Sequence, residues 1–189
     1  MFSKEGEVRV TGGLYKGRNI FCPPGAIRPS MDRMRQSLFS ILGDLSSLSF
    51  LDLFSGSGII GIEAASRGAA PVLLVEKDPR KRATIERNIS FIESPISLRV
   101  MPVERFLRSD AGPWDVVFLD PPFEYAGKGD VLDSVAAESH LSPGGLAVMH
   151  VHSAEKFLTD RPSLRLSDRR EYGQSLLLFF RRPEQNPAS

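Results

Sequence analysis

The chain has 189 residues, of which 41% are hydrophobic and 25% are charged, close to the average of soluble globular proteins. This composition excludes disordered and fibrous classes and leaves room for one domain with a short appendage. No apolar run approaches the roughly 20 residues that a membrane helix needs, and the first residues lack the apolar stretch of a signal peptide. Because Cys22 is the single cysteine and no Cys/His spacing suggests zinc, we expect a cytoplasmic protein without a disulfide or a metal.

The net charge is only +1, but basic residues are concentrated at the front of the chain. Residues 1–35 carry seven basic and three acidic side chains. Such a segment is typical of a phosphate-binding surface, although a solvated face would carry the same charges. Short β-prone stretches at 8–11 and 18–21, separated by glycines and followed by prolines, predict a hairpin-like or extended basic arm over residues 1–29.

Alternating strands and helices predict an α/β domain over residues 30–182. A helix is expected to begin at Ser30, where apolar residues recur at helical spacing, and to end at Leu42 before Gly43. Beyond it, strands are predicted over 50–54, 72–75, 98–101, 116–119 and 146–151, and helices over 58–67, 79–91, 104–108, 129–139 and 154–159. This alternation predicts a mostly parallel sheet covered on both faces, closed by an antiparallel hairpin over 164–171 and 175–181. Residues 183–189 are expected to form a flexible tail.

A glycine-rich turn follows the first strand of this domain and leads directly into a helix. In it, Gly56 and Gly58 would let a ligand approach the backbone, and Gly61 would let the helix pack closely against the strand. Glu76 ends the second strand, about 20 residues after Gly56, which is the offset of an acid that binds ribose hydroxyls. The pattern predicts a nucleoside cofactor, and a tight turn with packing glycines is the alternative.

The acid at the end of the first strand indicates which cofactor the turn would bind. Asp52 lies four residues before the first glycine of the turn. Its carboxylate would repel the pyrophosphate of a dinucleotide, which needs the helix N-terminus, but it suits the cationic amino group of an aminoacyl side chain. The loop therefore favours S-adenosylmethionine, with NAD as the second choice. Glu76 would then bind the ribose, or else be a surface acid beside Lys77.

The fourth strand ends in the segment Asp120-Pro121-Pro122-Phe123. Two consecutive prolines cannot extend a sheet, so the chain must turn there and hold Asp120 at the carboxyl edge of the strands. The Asp120 carboxylate and the Pro121 carbonyl could together accept both hydrogens of a planar exocyclic amine, with Phe123 stacking on its ring. A loop with a helix-capping Asp is the alternative.

This segment resembles the (Asp/Asn)-Pro-Pro-(Phe/Tyr) signature of amino-methyltransferases that act on exocyclic amines of DNA, RNA or glutamine. Two segments near the front of the chain, residues 9–18 and 28–39, narrow the resemblance. Together the three are similar, over residues 8–182, to the bacterial 16S rRNA (guanine-N2)-methyltransferase family, RsmD type. The resemblance implies a class I, Rossmann-like methyltransferase fold with strand order 3-2-1-4-5-7-6. It also implies S-adenosylmethionine as cofactor and, as partner, 16S rRNA in a 30S assembly intermediate, bound by a monomer.

The resemblance also assigns residues to the site. For the target amine it implies Asp120, Pro121, Pro122 and Phe123; for the cofactor, Asp52, Ser55, Gly56, Gly58 and Glu76. Arg33, Arg35 and Ser37 would lie on a helix that closes over the methionine end, so that Arg35 and Ser37 join the cofactor residues. Arg9, Lys16, Arg18 and Arg33 would contact RNA, with Arg35 also on phosphate. The family often has an acid after the third strand where this chain has Pro102, so adenine recognition falls to the backbone near Val103 or to Glu104.

Three other functions share some of these features. A DNA adenine methyltransferase shares the Asp120 segment but usually carries a target-recognition domain that 189 residues hardly accommodate. An NAD-dependent oxidoreductase would leave that segment unexplained, and a non-catalytic rRNA-binding assembly factor would have no need of an intact site. The remaining candidates are structural: His140, His150 and His152 have no metal-ligand partners at useful spacing and are expected to pack or face solvent. Trp114 is expected to be a packing anchor.

Overall fold

The computed structural model describes residues 6–22, 29–109, 112–136 and 140–184, and the side chains of residues 29 and 30 are left out. The elements follow in chain order: β1 (Glu7–Arg9), β2 (Asn19–Phe21), α1 (Pro29–Leu42), β3 (Phe50–Leu53), α2 (Ile59–Ser66), β4 (Val72–Glu76), a 3-10 turn (Pro79–Lys81), α3 (Arg82–Ile89), β5 (Ile96–Val100), α4 (Val103–Phe106), β6 (Trp114–Leu119), α5 (Lys128–Ala136), β7 (Leu141–His152), β8 (Arg165–Tyr172) and β9 (Ser175–Arg181). Within this described part, no helix is long and apolar enough to cross a membrane.

The central sheet has seven strands in the order β5-β4-β3-β6-β7-β9-β8. Strands β3 to β7 are all parallel to one another. Strand β9 runs antiparallel to both of its neighbours, β7 and β8. Numbered from β3, this is the order 3-2-1-4-5-7-6, so the predicted class I methyltransferase fold with its C-terminal hairpin is confirmed. Strand β7 begins at Leu141, earlier than predicted, because its first residues pair with Trp114 of β6.

Alternate residues of the buried strands face two separate cores. One core, which includes Leu51, Val117 and the predicted anchor Trp114, is covered by α4 and α5. The other includes Phe50 and Phe118 and is covered by α1, α2 and α3. Because β3 and β6 are buried on both faces, their sequences are apolar apart from Asp52 and Asp115, as is typical of central parallel strands.

The helix predicted over residues 154–159 is absent, and this prediction is wrong. A turn follows β7, and the segment then runs without regular structure. Contacts with other elements hold this segment in place. The Ser153 amide donates to the Gln174 carbonyl (2.9 Å), and Glu155 pairs with Lys128 of α5 (3.0 Å). Six residues are too few for a helix to be stable by itself, so these tertiary contacts decide the conformation. The predicted end of the helix at 129–139 and most of the predicted tail lie outside the described residues.

The arm forms the expected antiparallel hairpin, with Val8 opposite Ile20, and packs on α2. Its main polar contact is Glu63, a fully buried carboxylate in the otherwise apolar helix α2. Glu63 accepts hydrogen bonds from the backbone and hydroxyl of Thr11 (2.8 and 3.0 Å) and from Arg35 Nε (3.0 Å), and it also pairs with Arg67. The arm is thus joined to the domain by a buried cluster of charges.

A second contact joins the arm to the turn after β3. The buried side chain of Asn88, on α3, accepts a hydrogen bond from the Phe21 amide (3.0 Å) and donates to the Phe21 carbonyl (2.9 Å). The same amide group donates to the carbonyl of Ser57 (2.9 Å). One side chain therefore satisfies backbone groups of both the second arm strand and the glycine-rich turn.

Candidate active site

The site lies where the strand order reverses, between the carboxyl ends of β3 and β6. The two strands are paired in register, Leu53 beside Leu119, and the Asp120 amide donates to the Leu53 carbonyl (3.2 Å). The loops that leave the two strands must diverge, which opens a crevice at this point in a doubly wound sheet. The glycine-rich turn after β3 forms one side of the crevice, and the Asp120 segment forms the other.

The glycines of the turn have different tasks. Gly56 has φ of +59°, and an added Cβ would have no atom closer than 4.0 Å, so the space beside it is open to a ligand. A Cβ on Gly61 would lie 2.1 Å from Leu74 Cδ2, which confirms the predicted close packing of helix on strand. Gly58 lies immediately before α2 with φ of +82° and packs against Leu74, at 3.1 Å from a built Cβ; its contact with the cofactor stays a prediction. This left-handed backbone conformation, which favours glycine, shapes the turn.

Two buried polar atoms near Gly56 have no hydrogen-bond partner within the described chain. Asp52 accepts the Gly61 amide at one oxygen (3.0 Å), but its Oδ1 is unpaired, as is the hydroxyl of Ser55. Burial raises the pKa of Asp52 well above its usual range despite the Gly61 hydrogen bond, and the charges of Asp120 and Glu76 raise it further. Unpaired buried polar atoms are costly, and a bound cationic amino group would satisfy both.

Glu76 is buried, and its carboxylate is already engaged. Its Oε2 accepts the Gly56 amide (2.9 Å) and Lys81 Nζ (3.1 Å), and its Oε1 accepts the Asp78 amide (2.9 Å). It is therefore no surface acid beside Lys77. A carboxylate has about four acceptor positions, so one is free for a ribose hydroxyl, and a second becomes free if the flexible Lys81 moves.

Two adjoining cavities fill the crevice. The glycine cavity, about 200 Å³, is lined by Asp52, Ser55, Gly56 and Arg35, among others. The strand-end cavity, about 360 Å³, is lined by Glu76, Val103, Phe123 and Gln174, among others. Four residues line both cavities: Met31, Phe54, Lys81 and Asp120. A ligand bound along the crevice would thus pass Asp120.

The Asp120 segment is fixed by neighbours on two sides. Phe123 is 38% exposed and lies edge-on to the rings of His150 (5.5 Å) and His152 (5.1 Å). The buried Lys128 donates to the Phe123 carbonyl (2.5 Å), which anchors the turn to α5. Pro121 and Pro122 also line the strand-end cavity, so all four residues of the segment face the same space.

His150 is one of the site residues that were not predicted. It is buried on β7, and its Nδ1 lies 2.7 Å from Asp120 Oδ1. The expectation that it merely packs is incomplete because β6 and β7 are neighbours, with Leu119 beside Met149. The sequence contained a signal for this contact. Leu119 pairs with Met149, so the residues that follow them, Asp120 and His150, must be neighbours.

The predicted roles of Arg35 and Ser37 need correction. The Arg35 guanidinium is buried and pairs with Glu63 (3.0 Å) and Asp32 (3.1 Å), so it cannot reach RNA phosphate, although the residue does line the glycine cavity. Ser37 lines neither cavity, and its hydroxyl is hydrogen bonded to Tyr172 of the C-terminal hairpin. Both residues serve as contacts between elements because α1 packs against α2 and the hairpin.

The two residues named for adenine recognition both line the strand-end cavity, where Val103 is buried and Glu104 is exposed; their role stays a prediction. The Glu104 carboxylate accepts a hydrogen bond from the Tyr125 hydroxyl, which lowers the pKa of Glu104. Tyr125 also packs edge-on against Phe54 (5.2 Å). Val103 therefore lines the cavity, while the side chain of Glu104 is already hydrogen bonded.

The four residues predicted for RNA are exposed. Arg9 and Lys16 lie on the arm, Arg33 lies on α1, and Arg18 is stacked over the ring of Phe91 at 5.2 Å. A guanidinium held by a ring loses less freedom on binding an anion. The structure thus places these positive charges on the surface, with Arg35 excluded from the set.

Comparison with known proteins gives consistent matches. The family model described as "Conserved hypothetical protein 95" matches residues 8–181. "Ribosomal RNA small subunit methyltransferase D" of Escherichia coli K12 is 36% identical over 126 residues, a match that spans 64% of this chain and 63% of that protein. A solved structure described as "Putative methyltransferase" from Escherichia coli has a TM-score of 0.84 at 27% identity, covering 95% of this chain and all of the other. A structure described as a "putative methyltransferase complexed with SAH" has a TM-score of 0.73 at 16% identity, covering 96% of this chain and 58% of the other; it shows the fold alone.

The sheet order and the crevice between β3 and β6 define a Rossmann-like protein with the methyltransferase fold. Within that class, the chain belongs to the family described as Conserved hypothetical protein 95. The resemblance to the RsmD type is thereby confirmed.

Proposed function

We propose that this protein transfers a methyl group from S-adenosylmethionine to the exocyclic N2 amine of a guanine in 16S rRNA, within an assembling small subunit. The position of Asp120 is the observation that carries this function. It follows β6 and lines both the glycine cavity and the strand-end cavity. A group that binds an amine therefore lies between a space suited to a cofactor and a space bordered by an exposed aromatic ring. We infer further that the protein acts in the cytoplasm as a monomer.

The residues of the glycine cavity fit the cofactor. Asp52 Oδ1 and the Ser55 hydroxyl are buried acceptors for its amino group, Gly56 leaves space at the backbone, and Glu76 has a free position for ribose. When bound, the cofactor supplies an electrophilic methyl group: the amine lone pair forms the carbon–nitrogen bond while the carbon–sulfur bond breaks and its electron pair stays on sulfur.

Asp120 and Pro121 would position the amine for this attack. Their two oxygens accept its two hydrogens, which directs the nitrogen lone pair toward the methyl group. An aniline-like amine is a weak nucleophile, so positioning and exclusion of water supply most of the acceleration. The nitrogen becomes positively charged during attack, and the Asp120 carboxylate stabilises this charge and accepts the proton that the nitrogen releases. The free Cys22 has no part, since no covalent intermediate is needed.

The guanine must leave its stack, or already be single-stranded, to reach Asp120. Phe123 offers a partly exposed ring for it at the rim of the cavity. The exposed cations Arg9, Lys16, Arg18 and Arg33 would bind phosphates of the surrounding RNA, which fixes the orientation without reading sequence. Sequence selection would then come from the shape of the RNA and from its 2′-hydroxyl groups.

The test is transfer of radiolabelled methyl from S-adenosylmethionine to unmethylated 30S particles, naked 16S rRNA and duplex DNA. Asp120→Ala is measured alongside Asp160→Ala, which changes an exposed carboxylate that lines neither cavity. We expect label in rRNA, recovered as N2-methylguanine, with Asp160→Ala but not Asp120→Ala. Cofactor affinity should change little in Asp120→Ala.

Other outcomes have definite meanings. Label in DNA would overturn the ribosomal substrate but keep the chemistry. Cofactor binding without label in any substrate would favour a non-catalytic rRNA-binding factor. An equal loss of transfer, cofactor binding and thermal stability in Asp120→Ala would mean that Asp120 holds the fold.

A further inference from the structure

His150 combines deep burial with an incomplete set of hydrogen bonds. Its side chain is 3% exposed, whereas that of Asp120, its partner at 2.7 Å, is 29% exposed. An ionised carboxylate can only accept, so Nδ1 of His150 carries the shared hydrogen. In the neutral ring the lone pair then lies on Nε2, which is buried and has no partner within the described chain.

Packing alone does not account for this histidine. A buried nitrogen without a hydrogen bond is costly, and an apolar side chain of similar size would fill the same space without that cost. Apolar side chains lie on the same side of the sheet as the ring: Phe123 is edge-on at 5.5 Å, and the buried Leu177 lies opposite His150 on β9. The hydrogen bond to Asp120 is the interaction that only a donor at this position can make.

We propose that His150 is a positioning residue, which orients the Asp120 carboxylate for methyl transfer. This inference rests on the function proposed above. Its Nδ1–H fixes Oδ1 of Asp120, and this leaves Oδ2 aimed into the cavity for the target amine. Without the bond, the partly exposed carboxylate can rotate about its last torsion, which is broad for Asp. Small displacements of a reacting group can slow transfer by about 100-fold.

Two substitutions separate the hydrogen bond from the packing. His150→Asn places a side-chain N–H near the position of Nδ1–H, whereas His150→Leu fills the space without a donor. His140→Leu is the matched control, because His140 is equally buried at the other end of β7, also has an unpaired ring nitrogen, and contacts Leu107 instead of the site.

Steady-state methyl transfer to 30S particles is measured for each variant, with the dissociation constant for S-adenosylhomocysteine from calorimetry. We expect kcat of His150→Leu to fall about 10- to 100-fold, and that of His150→Asn to stay within about fivefold of the wild type. KM for cofactor and the dissociation constant should change less than twofold, and His140→Leu should keep its kcat. Equal loss of kcat in Asn and Leu variants, or no loss in either, would overturn the positioning role.

A spectroscopic measurement keeps this inference separate from the proposed function. In protein labelled with ¹⁵N-histidine, His150 should show the Nδ1–H tautomer, and Asp120→Ala should shift the ring toward Nε2–H. If the wild type methylates no RNA but this tautomer is present, the proposed substrate is wrong and the hydrogen bond stands. If the wild type methylates rRNA but His150 is Nε2–H, the positioning role is wrong.

Discussion

The buried contact between the arm and the domain allows a quantitative prediction. Glu63→Gln keeps the shape of the side chain but removes the negative charge that faces Arg35 and Arg67. The Glu63 side chain is 0% exposed and that of Arg35 is 6% exposed, so Arg35 would lose a charged partner in a site shielded from solvent. Breaking one side of a buried pair costs about 3–5 kcal/mol.

The lower end of that range is expected here. Arg35 retains Asp32 at 3.1 Å, whose side chain is 43% exposed, and the Arg67 side chain is 15% exposed. A loss of about 3 kcal/mol lowers the midpoint of thermal unfolding by about 6–12 °C in a domain of this size. Because the arm carries Arg9, Lys16 and Arg18, the affinity for rRNA should fall as well.

Thermal unfolding followed by circular dichroism tests this value, with Glu86→Gln as control. Glu86 lies on α3 and pairs with Arg82 at 3.5 Å, but both side chains are more than half exposed. Such a pair contributes less than about 1 kcal/mol, so the control should unfold within about 3 °C of the wild type. If Glu63→Gln unfolds as the control does, the buried charges do not hold the arm, and the reasoning fails.

Two further substitutions examine the crevice. Because burial raises the pKa of Asp52, the folded state keeps its proton to higher pH than the unfolded chain, whose Asp titrates near 4. Stability without cofactor is then lost as pH rises through the folded-state pKa, and Asp52→Asn should remove this loss. Its unfolding midpoint relative to the wild type should rise from pH 4 to pH 8, and a constant difference would contradict the burial argument. Lys128→Met removes the donor to the Phe123 carbonyl. Loss of a charged hydrogen bond of about 1–3 kcal/mol should lower kcat/KM for rRNA by about 5- to 160-fold. Exposed Lys156→Met is the control, and equal rates in both variants would exclude an anchoring role.

Features encoded within a few consecutive residues could be predicted from the sequence. The glycine-rich turn between β3 and α2 and the Pro-Pro turn after Asp120 are examples, because glycine and proline restrict the local backbone in known ways. The strand order was predicted from the family resemblance, and it places both turns at the carboxyl edge of the sheet. The helix over 154–159 could not be rejected locally, since contacts from distant elements such as Lys128 decide its conformation.

Contacts between residues far apart in the chain could not be predicted from the sequence. The partner of His150 lies 30 positions away on another strand, so only the pairing of β6 with β7 brings them together. Arg35 was assigned to ligands because its partner Glu63 was not recognised. A single carboxylate in the apolar sequence of α2 was nevertheless a signal, since a buried charge requires a partner of opposite sign.

The side chain of Asn88 links the arm to the glycine-rich turn. It bonds both backbone groups of Phe21 and the carbonyl of Ser57, so that three hydrogen bonds depend on one amide. An arm transplanted from a relative would have to reproduce this geometry to keep the turn in shape. Substrate range in this protein should therefore change through surface residues of the existing arm, because exchange of the whole arm as a module would disturb the turn that faces the cofactor.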